Sequence, residues 1–409
     1  MRDAHLVGSL PGSTPGAAMA TALDVLGPSL RSLPDGETGE RRNWVVSVVE
    51  GLRTHPDLEL RRQGDWSDYD RTPQLKPRKG RRLYGASLDF GHVAAVSESF
   101  PQFEAVRTAA GRPDLVFQEG VPGDFDLAMF TLGPAGALRH RRPFTEATLG
   151  EIRDVRTITG TQTLFQIEVP AELVLLAKAP AAARPALARL LARSVTGLPA
   201  AAPEGTRFAV HLCLGDMNNR ALGTMTDVGP LVQLANAIVR SWPVGRDLDL
   251  IHAPFAAANQ PATTDAAFYA PLRQLRIPAA VRFAAGFAHE SQSLADQRGS
   301  APASTTSSSG RSSSPRPVDW AGAPRSPAGP SWNAPQSSAR TEHRSRDSAG
   351  PMFRLSRKQS VSGISGRLRP QSVSGLLGPL TCETPCPRFS LEVSLVRRVH
   401  RTKVIGEGD

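Results

Sequence analysis

The stretch Thr206-Arg-Phe-Ala-Val-His-Leu-Cys-Leu-Gly-Asp216 decides how the chain reads. Residues 207–212 make a short apolar run bounded by Gly and Asp, which reads as a buried strand. Side chains alternate along a strand, so His211 and Cys213 leave its end on the same side. An imidazole and a thiol so placed make half of a zinc site, because zinc takes nitrogen and sulfur ligands in a tetrahedron. The same two residues also suit a hydrogen-bonded core histidine beside a small buried thiol. The stretch alone leaves both open.

Working outward, strands and helices alternate from His5 to about Arg298. Towards the N-terminus lie strands at residues 163–168, 114–118, 30–33 and 5–9. Towards the C-terminus lie strands at 248–252 and 281–288. Helices are expected at 15–26, 42–52, 93–109, 145–155, 172–195 (broken near Pro180 or Pro185), 230–242 and 264–275. Thr14 followed by Pro15 marks one helix start, an N-cap and a first-turn proline. Residues 55–91 are polar and rich in Trp, Tyr, Pro and Arg, an excursion over one end of the domain. Seven strands alternating with helices predict a parallel sheet, and ~290 residues suit a (β/α)8 TIM-type barrel lacking its eighth strand and helix. Ser9, Asp35, Glu37, Glu168, His211, Cys213, His252 and His289 all fall where strands end. In a barrel those ends share one mouth, where active sites sit.

The charge is unevenly spread. The 409 residues carry 48 Lys+Arg against 38 Asp+Glu, a net of +10, yet residues 299–409 alone hold 16 basic and 7 acidic residues. The body is therefore a neutral globule, and any attraction to nucleic acid or an anionic surface belongs to the tail. The chain divides into two domains: residues 1–298 as the barrel, and 299–409 as a disordered basic tail dominated by Ser, Pro, Arg and Gly. The tail carries a short repeat, Gln359-Ser-Val-Ser-Gly363 and Gln371-Ser-Val-Ser-Gly375, preceded by arginines. Three cysteines (Cys213, Cys382 and Cys386) make no disulfide framework and fit a reducing compartment. No apolar run approaches the ~20 residues of a membrane span, and the start lacks the apolar core of a signal peptide. The expected localisation is cytoplasmic.

Several strand-end motifs together resemble the C-terminal catalytic barrel of cobalamin-independent methionine synthase, in the superfamily shared with uroporphyrinogen decarboxylase. They are Val7-Gly-Ser-Leu-Pro11, Asp35-Gly-Glu37 with Glu40-Arg-Arg-Asn-Trp-Val45, Gln166-Ile-Glu-Val-Pro-Ala171, His211-Leu-Cys213 and His289. They keep the family's order over ~290 residues, and the family's separate N-terminal barrel has no counterpart. The resemblance implies S-methyltransferase chemistry: a small, homocysteine-like thiol held on Zn²⁺ as a thiolate and methylated, with a folate as donor by analogy. Carried over residue by residue, His211 and Cys213 are zinc ligands, and Ser9, Glu37 and Glu168 hold the substrate's charged ends. His289 is the general acid. The chain departs from the family at two positions. His252 falls where the family has a glutamate ligand, and Glu168 stands for an aspartate.

The family's last ligand is a cysteine in a Cys-Gly-Leu segment on strand eight, which this chain lacks. GC-rich codons for residues 305–323, read from the third base of the first, give Asp-Glu-Leu-Val-Gly-Pro-Leu-Val-Val-Ala-Thr-Thr-Cys-Gly-Leu-Gly-Arg-Arg. The Leu-Gly pair arises from Asp319-Trp320-Ala321 with every permitted codon. The tail thus reads as a frameshift, which would leave an unclosed barrel with two bare strand edges. Alternatives from other classes remain: an inactive frameshifted relative, a metal-free lyase, and a protein acting on RNA or membranes through its basic tail.

Overall fold

The structure is a computed structural model that describes residues 3–293, 295–297 and the backbone of 393–397. The repeat at 359–375, Cys382, Cys386 and residues 305–323, on which the frameshift reading rests, lie outside the described residues, as does most of the expected tail.

The core of the fold is an eight-stranded sheet. Its members are β1 (Asp3–Leu6), β2 (Ser32–Pro34), β5 (Val116–Pro122), β6 (Thr163–Glu168), β7 (Arg207–His211), β8 (Asp247–Pro254), β9 (Arg282–Gly286) and β10 (Val393–Arg397). A separate antiparallel hairpin pairs β3 (Leu58–Arg62) with β4 (Gln74–Pro77). The sheet order is β1-β10-β9-β8-β7-β6-β5-β2, with β2 and β5 to β9 running parallel in succession. A single parallel bridge, Ala4 to Leu30, joins the β1 strand to the segment leading into β2. This is a partial TIM-type barrel, as the alternation of strands and helices predicts.

The gap between β9 and β1 departs from expectation. Bare edges were expected there. Instead β10 lies between them, antiparallel to both, with Ala4 opposite Leu395 and Ala284 opposite Val396. Unpaired N–H and C=O groups along an edge accept a strand of either direction, so the site of a missing parallel strand can be filled the other way round.

The helices around the sheet are α1 (Pro15–Leu26), α2 (Trp44–Leu52), α3 (His92–Ala109), α4 (Asp124–Thr159), α5 (Pro170–Lys178), α6 (Arg184–Ala201), α7 (Gly229–Ser241) and the one-turn α8 (Ala266–Tyr269). Thr14 caps α1, its hydroxyl accepting from the Ala17 amide at 3.2 Å. The break between α5 and α6 falls at 179–183, beside Pro180. The 145–155 helix expected from sequence is the last part of the longer α4, which leaves helical geometry at Gly133 and His140. Among the described residues no helix is long and apolar enough to cross a membrane.

Alternation along the strands sorts the core into two faces. Phe117, Phe165, Ile167, Phe208, Val210 and Ile251 point outward and are buried beneath the helices. The inner face begins with a small apolar layer of Val116, Leu164, Ala209, Leu250 and Ala284. Above it comes a polar layer. Ser32 donates to Gln118 at 2.7 Å, His5 Nε2 meets the Gln166 carbonyl oxygen at 2.8 Å, and both glutamine amides reach the Val7 carbonyl at 2.8 Å. The 55–91 excursion holds more structure than its polarity suggested. Its hairpin and following loop pack Leu58, Leu75, Leu83, Leu88 and Phe90 with α2 and α4 into a second apolar cluster.

Candidate functional site

Register across three neighbouring strands builds the centre of the site. Glu168 at the end of β6 pairs with His211 at the end of β7, which pairs with His252 on β8. Residues in register on adjacent strands share a face, so one row carries a carboxylate and two imidazoles. His211 Nδ1 and His252 Nδ1 stand 2.6 Å apart, with the rings stacked at 4.7 Å between centroids. At that distance a single proton lies between two ring nitrogens, so one donates and the other accepts. Burial holds both neutral: His211 is lowered to about 3, and His252 is driven well below its ordinary value by burial and then by His211 and His5. Gly286 makes room for the pair, because a Cβ there would stand 2.5 Å from His252 Nε2.

His5 joins this group from β1, its ring 5.7 Å from that of His252. Its Nε2–H donates to Gln166, which leaves a buried Nδ1 with no hydrogen-bond partner. Burial lowers its pKa to about 4, the Gln166 bond opposing and Arg282 adding to the fall. His5 was not among the residues expected to act. A polar side chain inside an otherwise apolar strand was the available signal.

The second part of the site is carboxylate. Glu37 comes just after β2, is buried, and takes a left-handed backbone (φ 47°), a conformation that costs a non-glycine residue of order 1 kcal/mol. Ser9 donates to its Oε2 at 2.5 Å, and its own amide donates to Asp35 Oδ1 at 2.9 Å. Burial raises the Glu37 pKa to about 7; the Ser9 bond and Arg41 pull it down while Asp35 and Glu119 push it up. Gly120 lies between the two carboxylates, its absent Cβ position 3.2 Å from Glu168 Oε1 and 3.5 Å from Glu37 Oε1. Ser9, Glu37 and Glu168 thus lie near one another.

Behind Glu37 runs a charged network that sequence reading did not assemble, although Asp35 and Arg41 belong to the quoted motif. Arg41 pairs with Asp35 and reaches Glu119 at 3.5 Å, and His92 Nδ1 meets Glu119 at 3.0 Å. Burial alone would lower the His92 pKa, but the bond to Glu119 and the charges of Glu119 and Glu151 raise it. A cavity of about 540 Å³ opens beside these groups, lined by Glu37, Arg41 and His92 with Trp44, Leu52 and Phe90 on its apolar side.

Two further expected residues lie in the loops after β7 and β9. The Cys213 sulfur accepts the Gly215 amide at 3.1 Å in the loop after β7. His289 is buried, its Nε2 2.7 Å from the Ala258 carbonyl and its Nδ1 2.8 Å from the Ser291 hydroxyl. A carbonyl only accepts, so Nε2 carries the proton and Nδ1 receives one. Among the described residues no group of three or more His, Cys, Asp and Glu side chains is arranged to hold a metal ion. His211 and His252 are neutral and close, as zinc ligands need to be. Two nitrogens on one tetrahedral zinc stand about 3.4 Å apart, so the pair would have to part by under ~1 Å. Cys213 is not grouped with them. The donor chemistry fits zinc at the imidazole pair and is incomplete beyond it.

No family model matches the chain, and no curated protein matches it. A solved structure of a B12-independent methionine synthase from Shewanella sp. W3-18-1, in complex with selenomethionine, is similar to it. The TM-score is 0.39 at 14% identity, covering 66% of this chain and 69% of that one. A likeness of that size says nothing about activity.

Proposed function

We propose that this chain is a methyltransferase-type barrel of the methionine-synthase kind, acting in methionine biosynthesis on a small amine-bearing thiol such as homocysteine. The observation that carries this is the row Glu168–His211–His252 beside the Ser9–Glu37 pair, a carboxyl-lined pocket abutting two neutral imidazoles. Glu37 and Glu168 would receive the substrate's ammonium group, and the surrounding low dielectric strengthens that attraction. An arriving cation would draw the proton off Glu37, whose pKa near neutrality lets it ionise on demand. Ser9 would orient the Glu37 carboxylate.

His211 and His252 would hold zinc, with Cys213 as the sulfur ligand. Zinc, when bound, lowers a thiol's pKa so that it is a thiolate at neutral pH. His289 is proposed as the proton donor, a role in which its Nε2–H would have to leave the Ala258 carbonyl. The cavity beside Glu37 and Arg41 would take the methyl donor, a folate by analogy. A cytoplasmic setting keeps the Cys213 thiol reduced.

The first test is metal analysis of the full chain after incubation with zinc. About one zinc per chain is expected, lost in His211→Ala and Cys213→Ser while far-UV circular dichroism is unchanged. A folded chain that takes up no zinc under any condition would sink the proposal. A second reading, an inactive relative, is favoured by the antiparallel β10 in the eighth strand's place and by the lack, among the described residues, of a three-member group arranged to hold a metal ion. Zinc binding without turnover of any thiol with any methyl donor would establish it.

A further inference from the structure

The end of the barrel opposite the mouth has its own cavity, of about 780 Å³, at the strand beginnings. Its wall is charged, and most of those charges are accounted for. Arg31 pairs with Asp3 at 3.2 Å, Arg207 pairs with Asp249, and Asp114 is gripped by the Arg112 fork at 2.8 Å. Asp247 lies exposed at the rim.

Arg282 is different. It opens β9 and pairs with Leu250, whose side chain belongs to the small apolar layer inside the barrel. Its guanidinium therefore enters the lumen from below. It is close enough to His5 to lower that residue's pKa. It makes no hydrogen bond or ion pair with any described residue, although its side chain is only partly exposed. Burial lowers its own pKa, and the more distant Asp249 and Asp3 oppose that fall without cancelling it. Enclosed cations in proteins are paired, because removing a charge from water without a partner is costly. A guanidinium with five donors in a planar fork matches a carboxylate or phosphate best.

We propose that the N-terminal end of the barrel is a binding site for a small oxyanion, inorganic phosphate or a carboxylate of similar size, held by Arg282 with Arg31 and Arg207 at its flanks. The site is separate from the mouth and does not depend on the proposed methyl transfer. It would act as a structural anion site, closing the barrel floor with one negative charge.

The test is thermal unfolding of the full chain in phosphate against chloride at equal ionic strength, for the parent, Arg282→Gln and Arg282→Lys. The parent midpoint should rise by about 3 °C at ten times the dissociation constant and then saturate. Arg282→Gln should lose that rise and be no less stable than the parent in chloride, since it removes an uncompensated charge. Arg282→Lys, which keeps the charge and loses the fork, should retain a smaller rise. Comparing variants also discounts phosphate bound by the basic tail, which all three chains share. An equal phosphate shift in parent and Arg282→Gln would overturn the proposal. So would a large loss of stability in chloride for Arg282→Gln, because that would mean a carboxylate of the chain itself already pairs with Arg282.

Discussion

Replacing Glu37 with Gln should make the protein more stable above neutral pH and leave it nearly unchanged in acid. The Glu37 carboxyl titrates near 7 in the folded chain against 4.5 in its unperturbed state, a rise caused first by burial. A carboxyl with a raised native pKa binds its proton more tightly folded than unfolded. Stability is then greatest below the unfolded pKa, falls as pH climbs between the two values, and levels off above the folded one. The 2.5-unit gap corresponds to about 3 kcal/mol in full, of which about 2.5 kcal/mol is lost between pH 5 and pH 8. Glutamine keeps the shape, still accepts the Ser9 hydroxyl through its carbonyl oxygen and never ionises. Urea unfolding of both chains at the two pH values is the assay. The Glu37→Gln advantage should grow by about 2.5 kcal/mol from pH 5 to pH 8. A pH-independent difference, or one that shrinks with rising pH, would refute the placement of an ionisable carboxyl in a buried site.

Gly286→Ala sets a Cβ against His252 Nε2, so the imidazole must shift; a stability loss of about 1–3 kcal/mol is expected by denaturation, and the proposed zinc binding should weaken at least tenfold by metal titration. Ending the chain at residue 392 removes β10 and unpairs both β1 and β9, so light scattering should show association; a monomer with an unchanged unfolding midpoint would mean that β10 does not close the sheet.

Part of the candidate site's geometry was legible because its polar side chains sit at strand ends and strands are recognisable by composition. The run from Thr163 to Glu168 matches β6 residue for residue, and the alternation on β7 places His211 at its end. Arg41, Glu119 and His92 were not legible as a set, because they meet from a short turn, a strand and a helix spaced over more than fifty residues. The hairpin of β3 and β4 was hidden by its polar exposed face, while its buried leucines pack against α2 and α4, partners no local pattern reveals.

By itself, the sequence determined the alternating parallel architecture and the strand ends at which Glu168, His211 and His252 fall. These come from periodicity and turn chemistry, which act within a few residues. Tertiary structure alone decided that His211 and His252 face each other, that Cys213 turns to the Gly215 amide, that β10 enters antiparallel and that Arg282 points into the barrel floor. Each of these depends on which strands become neighbours and in what register. That choice is made by burying apolar area over the whole sheet, not by any residue's own preference.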